Sequence, residues 1–236
     1  MFKIALGAGH SMGTAGKRCL KALDPNETRE WYLNDRICDY IESYLKDYEG
    51  YSLLRLDDSD DGNEDIPLAT RTSKANAWGA DFYLSIHHNA GVYGGKGGGI
   101  VAYSHPNASK ASVEWRDALY DSLIKHTGLK GNRANPKATS NLFELRESKM
   151  SATLLEMGFM DSSSDVPILL TDDYAQKAAK AIVDVLVTRG ELTKKAEPEK
   201  DVRYKVQVGS FSKKENAEAL QKELAAKGYQ TYLVKV

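Results

Sequence analysis

Four residues whose side chains can bind or serve a metal ion stand at the ends of predicted strands or helices. His10 follows a first hydrophobic strand, Glu30 opens a helix and His87 lies at the end of a later strand. Two imidazoles and one carboxylate suit a hydrolytic zinc site, because three protein ligands leave the fourth tetrahedral position to a water. Glu156, at the end of another buried strand, is a candidate to accept that water's proton.

Each of these residues taken alone also has a structural explanation. A single histidine is often only a hydrogen-bonded polar residue, and a glutamate in a first helical turn is favoured by the helix dipole. His87 and His88 are adjacent and point to opposite sides of a strand, so strand geometry allows only one of them as a ligand. The metal hypothesis therefore depends on the combination of residues.

The buried position of Glu156 leaves more than one reading open. The preceding run, residues 152–155, is apolar enough to be a buried strand. A carboxylate there is paired with a cation, coordinated to a metal, or kept at a raised pKa for proton transfer. An ion pair with Arg71 or Arg146 is the structural alternative to a catalytic role.

Strands alternate with helices over residues 1–189. Apolar patterning predicts strands at residues 2–6, 51–56, 81–86, 100–103 and 152–156, and helices at 30–48, 67–78, 108–126 and 174–189. This alternation predicts an α/β fold with a mixed, mostly parallel central sheet flanked by helices. The glycine run at 94–99 lacks the P-loop pattern, and we interpret it as a hairpin-like connection or a mobile loop.

The composition changes after residue 189. Residues 190–201 are polar and without periodicity, which is typical of a linker. The remaining residues, 202–236, predict a small β-α-β segment with strands at 204–208 and 231–236 and a helix at 214–227. A segment of this size is too small to hold a core by itself.

The composition of the whole chain excludes several function classes. It has 236 residues, 42% of them hydrophobic, and a net charge of -1, so nothing indicates binding to nucleic acid by charge. The two cysteines, Cys19 and Cys38, have no metal or disulfide spacing, and we expect free thiols. No apolar run is long enough to span a membrane, and no classical signal peptide is recognisable. We therefore expect synthesis in the cytoplasm without a signal peptide.

The order of several short motifs resembles that of a known family. Residues 1–189 resemble the zinc-dependent N-acetylmuramoyl-L-alanine amidases of the amidase 3 type, which cut bacterial cell walls. The matching motifs are Gly9-His10, Glu30 with Asn34, Leu68-x-x-Arg71-x-x-x-Ala75-Asn76, Ser85-Ile86-His87-x-Asn89-Ala90, Leu145-Arg146 and Leu155-Glu156-x-Gly158-Phe159. Each motif is short, but together they span nearly the whole domain in the order of the family.

The resemblance implies a role for each matching residue. His10, Glu30 and His87 would be the zinc ligands and Glu156 the catalytic carboxylate, while Asn89 and Arg146 would bind substrate or support the ligands. The family motif Ser-x-His-x-Asn matches His87 and not His88. Glu27 is the alternative to Glu30, but the spacing to Asn34 favours Glu30.

The implied reaction is hydrolysis of the amide between N-acetylmuramic acid and L-alanine in peptidoglycan, as in an endolysin or autolysin that acts on the wall after release. The C-terminal residues, from Tyr204 to Phe211 and beyond, resemble the first half of a SPOR domain, a peptidoglycan-binding module. Two copies of this segment could complete each other in a homodimer. A zinc peptidase and a catalytically silent peptidoglycan-binding protein are the alternatives.

Overall fold

The structure is a computed structural model that describes residues 1–196 and 204–235. Its contacts divide the chain into two units, Met1–Lys195 and Ala196–Val236. The strands are β1 (Phe2–Ala8), β2 (Tyr48–Glu49), β3 (Tyr51–Arg55), β4 (Phe82–Asn89), β5 (Val101–Ser104), β6 (Lys137–Thr139), β7 (Ser151–Phe159) and β8 (Thr193–Lys194). The helices are α1 (Glu30–Leu45), α2 (Leu68–Trp78), α3 (Lys110–Thr127), α4 (Phe143–Glu147), α5 (Val166–Leu169), α6 (Asp172–Arg189) and α7 (Lys214–Ala226).

Six strands of the first unit form one twisted sheet in the order β3-β1-β4-β7-β5-β6. Strands β3, β1, β4 and β7 run parallel to one another, and β5 is antiparallel to β7 and parallel to β6. The predicted mixed, mostly parallel sheet is thus confirmed. The C-terminal ends of β1, β4 and β7 meet at one edge, where sites of α/β proteins usually lie.

Helices cover both faces of this sheet because successive strand side chains alternate between the faces. In β1, Ile4 and Leu6 pack into the larger core, and Ala5 packs into the smaller core on the other face. Helices α1, α3 and α6 close the larger core with Ile37, Ile41, Trp115, Leu119, Ala178 and Ile182. Helices α2 and α4 close the smaller core with Ala75 and Leu145. Both cysteines are buried and free, as predicted.

Several elements of the first unit lie in segments that we predicted to be irregular. Residues 127–151 fall in no predicted strand or helix, yet they contain β6 and α4. The predicted linker begins at residue 190, but β8 pairs with β2 and Leu192 is buried. These pieces are two to five residues long, and periodicity cannot identify elements so short.

Hydrogen bonds fasten the glycine-rich connection between β4 and β5 to neighbouring loops. Gly98 N donates to Asn132 Oδ1 at 3.0 Å and Gly99 N to Asp165 Oδ2 at 2.7 Å. A Cβ at Gly98 would overlap Asp165 and Phe159, and Gly98 has a φ of 123°. These hydrogen bonds argue against a mobile loop, and the predicted hairpin-like connection is wrong, because β7 lies between β4 and β5 in the sheet.

The C-terminal unit contains one helix, α7, among its described residues. Residues 204–208 and 231–235 form no strand, which differs from the predicted β-α-β arrangement, and residues 197–203 and 236 lie outside the described residues. A β-strand requires a ladder partner, and an extended segment without one keeps its backbone groups in water. No residue of α7 is buried.

None of the helices in the described residues is both long and apolar enough to cross a membrane.

Candidate metal centre and active site

Three side chains predicted to bind a metal come together at the C-terminal edge of the sheet. One ligand atom from each of His10, Glu30 and His87 lies within 4.8 Å of the other two. His10 Nε2 is 3.4 Å from Glu30 Oε1, and His87 Nδ1 is 3.2 Å from the same oxygen. The three residues come from three separate elements, so the tertiary fold and not local sequence creates this cluster.

His10 is held by its backbone at the end of β1. It has a φ of 67°, a left-handed conformation that is uncommon outside glycine. The buried Arg71 of α2 donates hydrogen bonds to the carbonyl oxygens of Ala8 and His10 and so braces this turn. The preceding Gly9 packs against the His87 ring, where any Cβ would overlap the ring atoms.

Glu30 is the first residue of α1 and is fully buried. Its Oε1 accepts a hydrogen bond from His88 N at 3.1 Å, and Lys17 Nζ lies 3.7 Å from its Oε2. The rival Glu27 instead forms ion pairs with Arg18 and Lys21. The structure therefore brings Glu30, and not Glu27, to the histidines.

The adjacent histidines of β4 face opposite sides of the sheet. His87 faces the cluster, while buried His88 faces α1, where its Nδ1 lies 2.7 Å from Asn34 Oδ1. Asn34 Nδ2 in turn donates to the Gly9 carbonyl at 3.1 Å. Glu30 and Asn34 thus have different roles although they lie one helical turn apart. Glu30 belongs to the cluster, and Asn34 connects His88 to the backbone beside His10.

The charges within the cluster shift the pKa values of its members in different directions. Burial lowers the pKa of His10 to about 4. Burial would also lower the pKa of His87, but the carboxylates of Glu144 and Glu30 on either side of the ring raise it to about 10. For Glu30, burial opposes ionisation, yet the hydrogen bond and charge of His87 lower the pKa to about 2. Without a metal the cluster thus holds a proton, which a bound cation must displace.

The donor set and its spacing fit zinc. Two zinc ligands with bonds of about 2.0–2.1 Å in a tetrahedron are roughly 3.3 Å apart. The 3.4 Å and 3.2 Å separations from Glu30 Oε1 to the two histidine nitrogens match this edge. At these spacings His10 Nε2, His87 Nδ1 and Glu30 Oε1 would be the atoms to hold a metal ion.

Glu156 lies on β7 opposite His87 in the strand register. Desolvation raises its pKa to about 7, although the charge of His87 acts to lower it. In the described part of the chain its Oε2 has no hydrogen-bond partner, and neither Arg71 nor Arg146 forms an ion pair with it. The structure therefore does not support the ion-pair alternative, and the carboxylate is available for proton transfer.

A cavity of about 500 Å³ lies at the C-terminal end of β4, and its wall contains neither the three cluster residues nor Glu156. Asn89, two residues beyond His87, lines it together with Tyr103, Arg133 and Phe159. The guanidinium of Arg133 lies over the Phe159 ring, 4.3 Å from its centroid. The cavity thus offers a cation, an amide and aromatic surface to a molecule bound at the strand ends.

Arg146 lies outside this arrangement. Its side chain hydrogen-bonds to Glu147 and Asn141 and stacks over Phe143. Arg146 is largely exposed, and its role in substrate binding or ligand support stays a prediction, as does that of Asn89.

Three polar side chains near the cluster were missed by the sequence analysis. They are Lys17 beside Glu30, Arg133 in the cavity wall, and the buried Glu144, whose Oε2 is 3.6 Å from His87 Nε2. None of the three stands in a predicted strand or helix, and outside such elements no periodic pattern distinguishes one polar residue from another. The apolar pair Leu142-Phe143 directly before Glu144 is the one local signal that a packed element begins here.

Comparison with known proteins confirms the family resemblance. The Amidase_3 family profile, described as N-acetylmuramoyl-L-alanine amidase, matches residues 4–188, and the SPOR domain profile matches residues 200–236. The amidase CwlM of Bacillus licheniformis is 31% identical over 234 residues, which cover 99% of this chain and 85% of that protein. A sporulation-specific N-acetylmuramoyl-L-alanine amidase of Bacillus subtilis is 33% identical over 235 residues, with the same coverage.

A solved structure shows the same fold. The catalytic domain of the amidase CwlV from Bacillus (Paenibacillus) polymyxa var. colistinus superposes with a TM-score of 0.71 at 23% identity, covering 82% of this chain and all of that domain. The family profile spans most of the chain and two relatives match almost all of it. This chain therefore belongs to the N-acetylmuramoyl-L-alanine amidase family and is a cell-wall amidase whose C-terminal residues 200–236 are similar to a SPOR domain.

Proposed function

We propose that this amidase is zinc-dependent and hydrolyses the amide between the lactyl group of N-acetylmuramic acid and the L-alanine of the stem peptide. The observation that carries this proposal is the convergence of His10, Glu30 and His87 opposite Glu156, whose Oε2 has no hydrogen-bond partner among the described residues. Three ligands leave a position for water, and a carboxylate beside that position completes the requirements of a zinc hydrolase.

The residues of the chain divide the work as follows. His10, Glu30 and His87 would hold zinc, which supplies Lewis acidity towards the scissile carbonyl and lowers the pKa of a water to about 7. Glu156 accepts the proton of that water at its free oxygen and then donates it to the leaving amine of alanine. A pKa of about 7 lets the same carboxylate act as base and then as acid.

The cavity beside Glu156 suits the stem peptide. Val101, in its wall, pairs with Glu156 across β5 and β7, so the cavity wall reaches the strand position next to Glu156. Stem peptides carry carboxylates and amides, which Arg133 and Asn89 are equipped to bind. We therefore place the peptide side of the substrate here.

We further propose that the protein acts at the cell wall after release from the cell in which it is made. The SPOR match at residues 200–236 supports a second contact with peptidoglycan, independent of the active site.

The described part of this unit exposes the apolar residues Tyr204, Val206, Val208, Phe211, Tyr229, Tyr232, Leu233 and Val234. Pairing of two such segments in a homodimer would cover them, and sedimentation at two protein concentrations tests it.

A digestion of purified peptidoglycan tests the reaction. We expect new N-terminal alanine to appear, release to stop with a chelator, and zinc to restore it. Glu156→Gln keeps the shape of the side chain but removes the base, and it should lower the rate by about 10²–10⁴-fold while zinc content stays unchanged. Glu114→Gln, which alters an exposed carboxylate of α3, is the matched control and should keep full activity.

Two results would contradict the proposal. New amino groups on residues other than alanine would indicate a zinc peptidase. Binding to the wall and to zinc without any new amine would indicate a catalytically silent peptidoglycan-binding protein.

A further inference from the structure

The two ring nitrogens of His87 face two different carboxylates. Nδ1 lies 3.2 Å from Glu30 Oε1, on the side of the ligand cluster. Nε2 lies 3.6 Å from Glu144 Oε2, and within the described residues it has no hydrogen-bond partner. This separation is slightly longer than a hydrogen bond, so a small rotation of the ring would close it.

Glu144 is itself held in a defined position. It is buried, with 3% of its surface exposed. Tyr83 Oη donates to its Oε1 at 2.6 Å, and Ser85 Oγ lies 3.3 Å from both of its oxygens. Tyr83, Ser85 and His87 alternate along β4 and therefore share one face of the strand. One carboxylate from α4 thus lies against three successive side chains of that face.

The hydrolytic chemistry described above gives Glu144 no task. A buried carboxylate is unfavourable unless it is paired, and two hydroxyl groups alone do not compensate a full charge. The free N–H of a histidine whose other nitrogen faces a metal is a suitable partner for it. Metal-binding histidines commonly donate their second N–H to a carboxylate.

We propose that Glu144 is a positioning residue for the metal centre, which accepts the Nε2–H of His87 and thereby directs Nδ1 to the metal. This inference rests on the proposed zinc site. The hydrogen bond fixes the tautomer in which Nδ1 is free to coordinate, restrains rotation of the ring and makes the imidazole a stronger donor. Tyr83 and Ser85 restrain the carboxylate in the same way, one step further from the metal.

Zinc affinity of the whole chain, measured by competition with a chromophoric chelator, tests this role. Glu144→Gln keeps the volume and leaves an acceptor for Tyr83, but it removes the charge opposite His87. We expect zinc affinity to fall by about 10–100-fold. Tyr83→Phe is the matched variant, because it removes a hydrogen bond to the same carboxylate without removing the carboxylate. We expect its zinc affinity to change by less than about threefold.

A spectroscopic signal separates positioning from simple support of the fold. In the zinc-loaded protein labelled with ¹⁵N-histidine, an Nε2–H bonded to a carboxylate should give a downfield, slowly exchanging proton resonance for His87. That resonance should disappear or shift upfield in Glu144→Gln and persist in Tyr83→Phe. The resonance is assigned to His87 through nuclear Overhauser effects to its neighbours on β4, because His87→Ala is expected to lose zinc and cannot serve as the reference.

The outcomes separate this inference from the zinc site itself. If Glu144→Gln binds zinc as tightly as the wild type and keeps the resonance, and only its melting temperature falls, Glu144 is a structural acceptor and the inference is wrong. If the wild type itself binds no zinc, the zinc site is wrong and the inference fails with it. Reduced affinity in both Glu144→Gln and Tyr83→Phe, with the resonance retained, would also contradict a direct role.

Discussion

The two faces of β4 at its C-terminal end carry the same side chain in opposite environments. His87 lies between the carboxylates of Glu30 and Glu144; burial alone would lower its pKa, but they raise it to about 10. His88, one residue later, lies against α1, where burial lowers its pKa to about 3. The strand pleat separates the two rings, and the neighbouring carboxylates decide which histidine is suited to hold a cation.

The largest effect is expected when each of the two histidines is replaced in turn. His87→Ala removes one of three ligands, and we expect stoichiometric zinc binding and amidase activity to be lost. His88→Leu removes a ring that contacts Asn34 and not the cluster, so zinc should remain bound. This substitution leaves Asn34 Oδ1 without its partner, which should lower the unfolding free energy by about 1–3 kcal/mol. Zinc content by atomic emission and urea unfolding of both variants measure the two effects, and zinc loss in His88→Leu with His87→Ala still loaded would reverse our assignment.

A smaller effect is expected where the backbone approaches the His87 ring. Gly9→Ala would place a methyl group against the ring atoms Cε1, Nδ1 and Nε2, so the ring must move away from its present position. We expect at least about tenfold weaker zinc binding, because displaced ligands lose the required geometry. Gly13→Ala is the control, since its Cβ would meet only Ser11 Oγ at 3.7 Å. Equal zinc affinity of the two variants would show that the ring position is not critical.

The smallest effect concerns the loop that leads into α1. Burial would raise the pKa of Asp24, but hydrogen bonds from Thr28 and Asn26 lower it below 3.8. The charged form is therefore favoured in the folded state, and its stabilising contribution is present above pH 3.8 and is lost as the pH falls through the folded-state pKa. Asp24→Asn should lower the unfolding free energy at pH 7 by about 1 kcal/mol.

Denaturant unfolding at pH 7 and at pH 3 compares this variant with the wild type. The difference between the two proteins should shrink at pH 3, and zinc affinity at pH 7 should be unchanged. A difference that is constant or grows towards low pH would contradict the stated direction of the pKa shift.

The elements that carry the proposed ligands were predictable because each has a strong local pattern. β1, β4 and β7 are buried runs, and α1 has an apolar face that repeats with the helical period. His10 follows β1, and His87 and Glu156 lie within the last four residues of β4 and β7, which extend beyond the predicted strand ends; parallel strands place these C-terminal parts at one edge. The motif order added the choice of His87 over His88, which strand geometry alone left open.

Glu144 could not be predicted for a physical reason. It sits in a five-residue helix, and its partners, Tyr83 and Ser85, are about sixty residues away in the chain. No local pattern encodes such a contact. The same limit applies to Arg133 and Lys17, whose positions depend on how long loops cross the sheet edge.

In the C-terminal unit, a strand-like sequence pattern is present without a strand. Residues 204–208 alternate in the manner of a strand, yet the described residues form none. In the first unit, strands with a similar pattern find neighbours within the sheet and bury their apolar side chains. A strand pattern thus predicts the capacity to pair, and the presence of a partner decides whether a ladder forms.

The irregularity in β7 has a further consequence for how this active site can change. His87 pairs with Glu156 and Asn89 pairs with Phe159, so β7 contains one more residue than β4 between these positions, with Gly158 at a φ of 129°. An extra residue reverses the alternation of side chains beyond it. Phe159 therefore lies on the same side of the sheet as Glu156, where regular alternation would place the two on opposite sides, so a substitution at Phe159 changes the cavity wall on the side of the predicted proton acceptor.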